Sequence, residues 1–274
     1  MEYADSNGRK RSPIQPGYPP LFRANSIATK VLVDVASAEP LHGTDIAALQ
    51  AVSNVRSSVL LRKLVIGGLL ERLVLETRPS GYHYRLSDIE PLATPVRAVV
   101  ASLGAANGLV VPGHTPQPEK ARRIDVAPTD DQGDRHGIHY GLLWILGTPL
   151  RTLAIVIVAI LGEADENTVA RACAVTTDKS MPALLKPIQR DGIFVTSTVG
   201  RFKMCAIPDA AWKPSLESLA RTIARVDPNA GALVEAARQI RTGGTWHGRK
   251  FLERYLRDGR ASYKDPGRKS RDGE

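Results

Sequence analysis

The chain contains 274 residues, of which 43% are hydrophobic and 24% charged, so it is long enough for two folded domains and too apolar for an intrinsically disordered protein. Its formal net charge of +9 lies at the two ends: residues 1–30 carry five Lys or Arg and two acidic residues, and residues 238–274 carry eleven and five. Basic ends favour a polyanionic partner, nucleic acid or an anionic membrane surface, with a solubilising tail as the alternative.

Two cysteines cannot build a disulfide framework, and residues 1–20 lack the apolar stretch of a secretion signal, so a cytoplasmic protein is expected. The most apolar segment, residues 141–162, is interrupted at Gly147-Thr148-Pro149 and at Arg151. Its uninterrupted run, Leu153 to Leu161, is much shorter than the ~20 residues that a bilayer requires. The pattern therefore predicts a buried helix that begins at Pro149 with Thr148 as N-cap, and no membrane partner.

Residues 1–24 are predicted to form a flexible arm, and a compact pattern begins after it. Ser26 is predicted to cap a first helix and Thr44 a short second helix, and after a turn around Ala51–Ser53 a third helix runs to Gly67. An alternating stretch then predicts a β-hairpin that turns at Pro79-Ser80-Gly81, followed by a short helix over 91–104.

Pro, Gly and charge without periodicity predict a linker over 105–138, after which the pattern returns. The helix from Pro149 is followed by a short helix capped near Asp165, a third helix after Thr176 that ends at Gly192, and a second hairpin. Further helices are predicted near 214–226, 228–241 and 246–258, and a basic disordered tail over 259–274.

The order helix, short helix, turn, helix, Gly, hairpin therefore occurs twice, with Ala51 aligned on Ala174 and Gly68 on Gly192. This predicts a mainly α fold with short β-hairpin wings. The predicted divisions begin with an arm over 1–24, a first three-helix unit with its hairpin over 25–104 and a linker over 105–138. A second such unit over 139–210, C-terminal helices over 211–258 and a tail over 259–274 follow.

The passages "VSNVRSSVLLRKLVIGGLLERL" and "AVTTDKSMPALLKPIQRDGIFVTS" resemble the junction of helix, turn, recognition helix and wing in bacterial winged-helix DNA-binding proteins. Each has a small polar residue opening the third helix, apolar packing positions, and Gly before an apolar strand. The resemblance covers about residues 26–90 and 149–208 and identifies no subfamily. It implies two winged-helix units whose third helices and wings are placed at duplex DNA.

Advancing 100° per residue along the third helix of the first copy puts Ser57, Leu60, Leu61 and Leu64 on the packing side. The opposite side mixes cations with apolar residues: Arg56, Arg62 and Lys63 with Val55, Val59 and Ile66. Cations suit phosphates, whereas the interleaved apolar residues also suit a dimer or interdomain surface, so both interpretations stay open.

The second copy has a more uniform outward side. Met181, Leu184, Leu185 and Ile188 form its packing side, and the residues facing away are small or basic: Lys179, Ser180, Ala183, Lys186, Pro187 and Arg190. This composition favours contact with DNA, and Pro187 is expected to kink the helix. The full predicted DNA-binding set adds helix starts and hairpins: Ser53, Asn54, Arg56, Arg62, Lys63, Arg78, Tyr82, His83, Thr177, Lys179, Ser180, Lys186, Arg190, Arg201 and Lys203.

No motif of a known enzyme class is present, so no catalytic activity and no cofactor are expected. His136 and His139 lack further ligands nearby, so no metal site is predicted. Cys173 takes a core position in its short helix and is interpreted as a buried free thiol.

These patterns predict a nucleoid-associated transcriptional regulator that binds specific sequences of double-stranded DNA, with a second copy of the chain as a candidate partner. A plasmid or phage replication initiator or a partition-type protein is the first alternative. A protein-binding accessory of chromosome organisation is the second alternative, and Val55, Val59 and Ile66 favour it.

Overall fold

The computed structural model describes residues 27–76, 78–106, 121–123, 145–175, 180–245 and 254. These residues are mainly helical and carry two small antiparallel sheets, as the sequence predicted. The helices are α1 (Ile27–Ser37), α2 (Gly43–Leu49), α3 (Asn54–Ile66), α4 (Ala93–Ala106), α5 (Pro149–Leu161), α6 (Glu166–Ala172), α7 (Ser180–Arg190), α8 (Lys213–Val226) and α9 (Pro228–Arg241). The strands are β1 (Leu41–His42), β2 (Leu70–Leu75), β3 (Arg78–Leu86), β4 (Ala121–Arg123), β5 (Glu163–Asp165), β6 (Val195–Val199) and β7 (Phe202–Ala206).

Side-chain caps begin several helices, and two of these caps, Thr148 and Asp165, were predicted from the sequence. The Ser53 hydroxyl accepts from the Arg56 N–H at the start of α3, and the Thr148 hydroxyl accepts from the Arg151 N–H at the start of α5. Asp165 likewise caps α6. Thr44 is a wrong prediction: α2 begins one residue earlier, at Gly43, and the His42 ring nitrogen accepts the Thr44 N–H. An imidazole nitrogen thus takes the role expected of a hydroxyl.

The turn of the first hairpin was also predicted wrongly. Leu75 pairs directly with Arg78, so the chain reverses between these two residues. Pro79-Ser80-Gly81 instead lies within β3, where the register against β2 is interrupted. Gly81 has a φ of +93°, and a Cβ there would meet the His42 ring, so this irregular stretch requires glycine.

The two sheets share one arrangement. In each, the short strand before the second helix pairs with the second strand of the hairpin, giving the orders β1-β3-β2-β4 and β5-β7-β6. The extra strand β4 lies inside the segment predicted as linker and pairs with β2. Composition gave no indication of it, because a three-residue edge strand needs only backbone partners.

Backbone geometry repeats at the aligned positions. Ala51 and Ala174 both have a φ of +50°, and Gly68 and Gly192 have φ values of +69° and +71°. The hydrogen bonds that close the turns also correspond. Before the third helix, the Val52 N–H donates to the Ala47 carbonyl at 3.0 Å, and the Val175 N–H donates to the Ala170 carbonyl at 2.8 Å. After the third helix, the Leu69 N–H donates to the Leu64 carbonyl at 2.9 Å, and the Ile193 N–H donates to the Ile188 carbonyl at 3.1 Å. The predicted second occurrence of the helix–hairpin order is therefore present down to individual hydrogen bonds.

Gly68→Ala is expected to lower the free energy of unfolding by about 1 kcal/mol, because an L side chain at this positive φ is strained. Crowding does not contribute, since a Cβ built at Gly68 has no atom of the described residues within 4 Å. Gly68→Asn should lose less, because Asn tolerates the left-handed region. Urea unfolding measures both variants, and equal losses would contradict the backbone explanation.

One hydrophobic cluster runs through both copies. Helix α8 packs on α4 and α5, and α9 packs on α5 and α6. A hydrogen bond also joins the copies, because the Thr29 hydroxyl donates to the Ile145 carbonyl at 2.6 Å. The Ser102 hydroxyl of α4 lies 2.9 Å from the Ser215 hydroxyl of α8, which links the first copy to the C-terminal helices.

The predicted arm, the tail and, apart from Arg254, the helix over 246–258 lie outside the described residues, as do Ser26, Thr176 and the linker residues other than β4. Within the part that is described, no helix combines the length and apolar character needed to cross a membrane.

Candidate nucleic-acid interface

Helix α7 separates a packing side from a cationic side. Leu185 and Ile188 are buried, while Ala183, Lys186 and Arg190 are exposed. The predicted contacts Thr177 and Lys179 lie outside the described residues, and Ser180 is half-buried at the first position of the helix. Pro187 lies within α7, and its carbonyl accepts the Asp191 N–H at 3.0 Å. The outward side of α7 is therefore small and basic, as its sequence predicted.

The end of α7 is held by a buried ion pair that sequence reasoning missed. The Arg151 guanidinium of α5 donates through Nη2 to the Asp191 carboxylate, and both side chains are buried. Burial raises the pKa of Asp191, and the positive charges of Arg151 and Arg190 oppose that rise. The only sequence signal was one Arg in the most apolar helix, since a charge there requires a partner.

The hairpin β6–β7 follows α7 and carries the predicted cations. Arg201 and Lys203 are exposed, and the Arg201 guanidinium lies 5.2 Å from the centre of the Phe202 ring. The hairpin also exposes Val195, Val199 and Phe202, which were not in the predicted set. Strand alternation was the available signal, because these residues share one face in the observed register.

Helix α3 of the first copy has the mixed surface that its sequence predicted. Val55 and Val59 are 75% and 53% exposed, and Ile66 is half-buried. The cations on this side are Arg56 and Arg62, both exposed, and Lys63, which is half-buried and whose pKa is lowered by burial. Ser53 caps the helix and Asn54 is its exposed first residue.

The hairpin of the first copy holds one predicted contact at the surface and one inside. Tyr82 is exposed, with the Arg72 guanidinium 4.3 Å from its ring centre. His83 is only 2% exposed and packs edge-on against the His42 ring at 4.9 Å, so its predicted contact with DNA is corrected. Arg78 begins β3, and its side chain lies outside the described part of the structure.

Other chemistry in the described residues is limited. Cys173 is a buried free thiol, as predicted, and Cys205 is also a buried free thiol. Burial raises their pKa values to about 12 and about 11. No group of three or more His, Cys, Asp or Glu comes together as a metal site within the described ranges, which exclude His136 and His139. Both thiols are therefore protonated and unreactive near neutral pH.

Comparisons of the chain with protein-family models, with curated proteins and with solved structures give no match. The assignment of a function consequently depends on the chain's own residues and geometry.

Proposed function

We propose that this protein binds double-stranded DNA through two winged-helix units and acts as a transcriptional regulator. The observation that carries the proposal is the outward side of α7, where Ala183, Lys186 and Arg190 are exposed. A helix with small residues and cations fits the major groove, because small side chains allow close approach and cations meet phosphates.

The arrangement around α7 supports the same proposal. Each copy orders its elements as helix, short strand, short helix, third helix and hairpin, with the short strand paired to the second hairpin strand. This resembles a winged helix, in which the third helix enters the groove and the hairpin lies beside it. Arg201 and Lys203 then add cations on the hairpin that follows α7.

Salt-dependent binding to a random-sequence duplex is the first test of this function. If Lys186, Arg190, Arg201 and Lys203 each neutralise one phosphate, the log–log salt slope is about −3.6, and affinity falls about 100-fold between 50 and 200 mM salt. Further contacts from the basic ends would steepen this slope. A mobility-shift titration measures it, and no binding at 50 mM salt would exclude the proposal.

Selection of bound sequences from a random DNA pool tests the regulatory part. An inverted repeat with half-sites about one helical turn apart is expected for a dimeric regulator. Direct repeats would instead assign the protein to replication initiation.

A protein-binding role is the second candidate, because α3 exposes Val55 and Val59 together. Apolar residues at the centre of a surface patch are typical of protein interfaces. Sedimentation of the full chain at several concentrations tests a self-interface, and a dimer that Val55→Glu dissociates would support it.

A further inference from the structure

A pocket of about 250 Å³ opens where the two copies meet. It lies between the start of α1, the outward side of α3 and the residues that begin α5. Its volume is slightly below the range of about 300–1,000 Å³ typical of small-molecule sites. Most of its wall is apolar and includes Ile27, Val52, Val59 and Leu60.

The lining of the pocket also includes a buried guanidinium group, that of Arg151. Arg151 lines the pocket and is 7% exposed, and its Nη2 is bound to Asp191. Its Nε–H has no hydrogen-bond partner among the described residues. A buried guanidinium N–H without an acceptor is unfavourable. Nε itself is closed to solvent, so an anion in the pocket would lie beside the guanidinium and interact with its positive charge.

Gly147 allows the backbone to lie against this guanidinium. Its φ is +118°, and a Cβ there would lie 3.0 Å from Arg151 Cδ and 3.4 Å from Arg151 Nε. Thr148, which caps α5, lines the same side. The start of α5 therefore presents both the guanidinium and the positive end of a 13-residue helix to the pocket.

The charged side chains that line the pocket are all positive within the described part of the chain. Arg56 and Lys63 join Arg151 among its lining residues, and no acidic side chain lines it within the described part of the chain. Burial lowers the pKa of Lys63, so a neighbouring anion would stabilise its charged form.

We propose that this pocket binds a small organic acid, with its carboxylate beside the Arg151 guanidinium and its apolar body against Val59 and Leu60. The ligand would touch α3 of one copy and the start of α5 of the other, so it fixes their relative placement. If the proposed DNA-binding function holds, the acid is an effector, because a ligand that prefers one placement of the two copies shifts the population toward it.

Calorimetric titration of the full chain, without DNA, tests the pocket directly. The probes are phenylacetate, octanoate and isovalerate, with phenylacetamide as an uncharged match for the first. Saturable binding of at least one acid below about 10 mM is expected, with phenylacetamide at least tenfold weaker than phenylacetate if phenylacetate is the acid that binds. Binding by none of the acids, or equal binding of phenylacetate and its amide, would overturn the proposal.

Two matched variants locate the binding. Val59→Glu puts a negative charge on the pocket wall at an exposed position and should weaken acid binding at least tenfold. Val55→Glu makes the same change on the same helix outside the lining residues and should alter binding less than twofold. Equal effects of the two variants would place the acid elsewhere.

The two proposals fail separately. Acid binding without any salt-sensitive DNA binding would remove the regulatory function and leave the pocket. DNA binding without acid binding would remove the pocket and leave the regulatory function.

Discussion

Replacing Lys186 and Arg190 by alanine is expected to weaken binding to duplex DNA about 10- to 100-fold at 0.1 M salt and to reduce the log–log salt slope by about 2. Both side chains are exposed on the outward side of α7, so their removal leaves the buried Leu185 and Ile188 in place. Mobility-shift titrations at several salt concentrations measure both quantities, and circular dichroism checks that the fold is retained.

A charge-matched variant separates contact from net charge. Arg221→Ala with Arg238→Ala removes two exposed cations from α8 and α9, where each pairs with a glutamate of its own helix. Its affinity should change less than threefold, because these cations are already partly neutralised and lie outside the proposed interface. Equal losses of affinity in the two variants would mean that DNA binding depends only on the net charge of the protein.

A third variant compares the two copies. Arg62→Ala with Lys63→Ala on α3 should weaken binding less than the α7 variant, because Val55 and Val59 interrupt the cationic surface of α3. The reverse ranking would assign the main DNA contact to the first copy.

Local patterns predicted the repeated part of the fold because they depend on neighbouring residues. The capping hydroxyls of Ser53 and Thr148 and the glycines at 68 and 192 fix where helices begin and end, and each acts within a few residues. The outward sides of α3 and α7 followed from helical periodicity for the same reason. The sequence was therefore sufficient for the order of helices and hairpins in the two copies and for the cationic character of α7.

The interior position of His83 was not predictable from alternation. Alternation assumes that one face of a hairpin meets solvent, but β3 lies between β1 and β2, and its residues from His83 to Leu86 are buried on both faces. On the face that carries His83 and Arg85, the neighbouring strands supply polar partners. His42 of β1 pairs with His83, and Glu71 of β2 pairs with Arg85 and accepts its hydrogen bond. These partners depend on strand order, which a single hairpin pattern does not contain.

The pocket and the buried ion pair were missed for a related reason. Arg151 and Asp191 are 40 residues apart in the chain, and the pocket joins residues near 27, 59 and 148. Sequence showed Arg151 only as an interruption of an apolar run. Its role depends on how α5 meets α3 and the end of α7, which is set by packing between the copies.

Asp191→Ala is expected to lower the free energy of unfolding by about 3–5 kcal/mol, which is the largest stability loss that we predict for a single substitution. Arg151 would keep its charge in a buried site with no carboxylate on Nη2, and its Nε already lacks a partner among the described residues. Urea unfolding followed by circular dichroism measures the loss. As a control, Glu235→Ala breaks the exposed pair with Arg238 and should cost less than about 1 kcal/mol.

A double variant distinguishes loss of the charge pair from loss of packing. Arg151→Met with Asp191→Leu removes both charges and keeps apolar volume, so it should recover most of the stability that Asp191→Ala loses. The same variant removes the guanidinium proposed to lie beside the carboxylate, so it should fold and yet bind phenylacetate no better than phenylacetamide. A double variant as unstable as Asp191→Ala would show that packing around α5, and not the unpaired guanidinium, sets the cost. Restored stability with acid binding retained would show that the carboxylate is held by Arg56 and Lys63 instead.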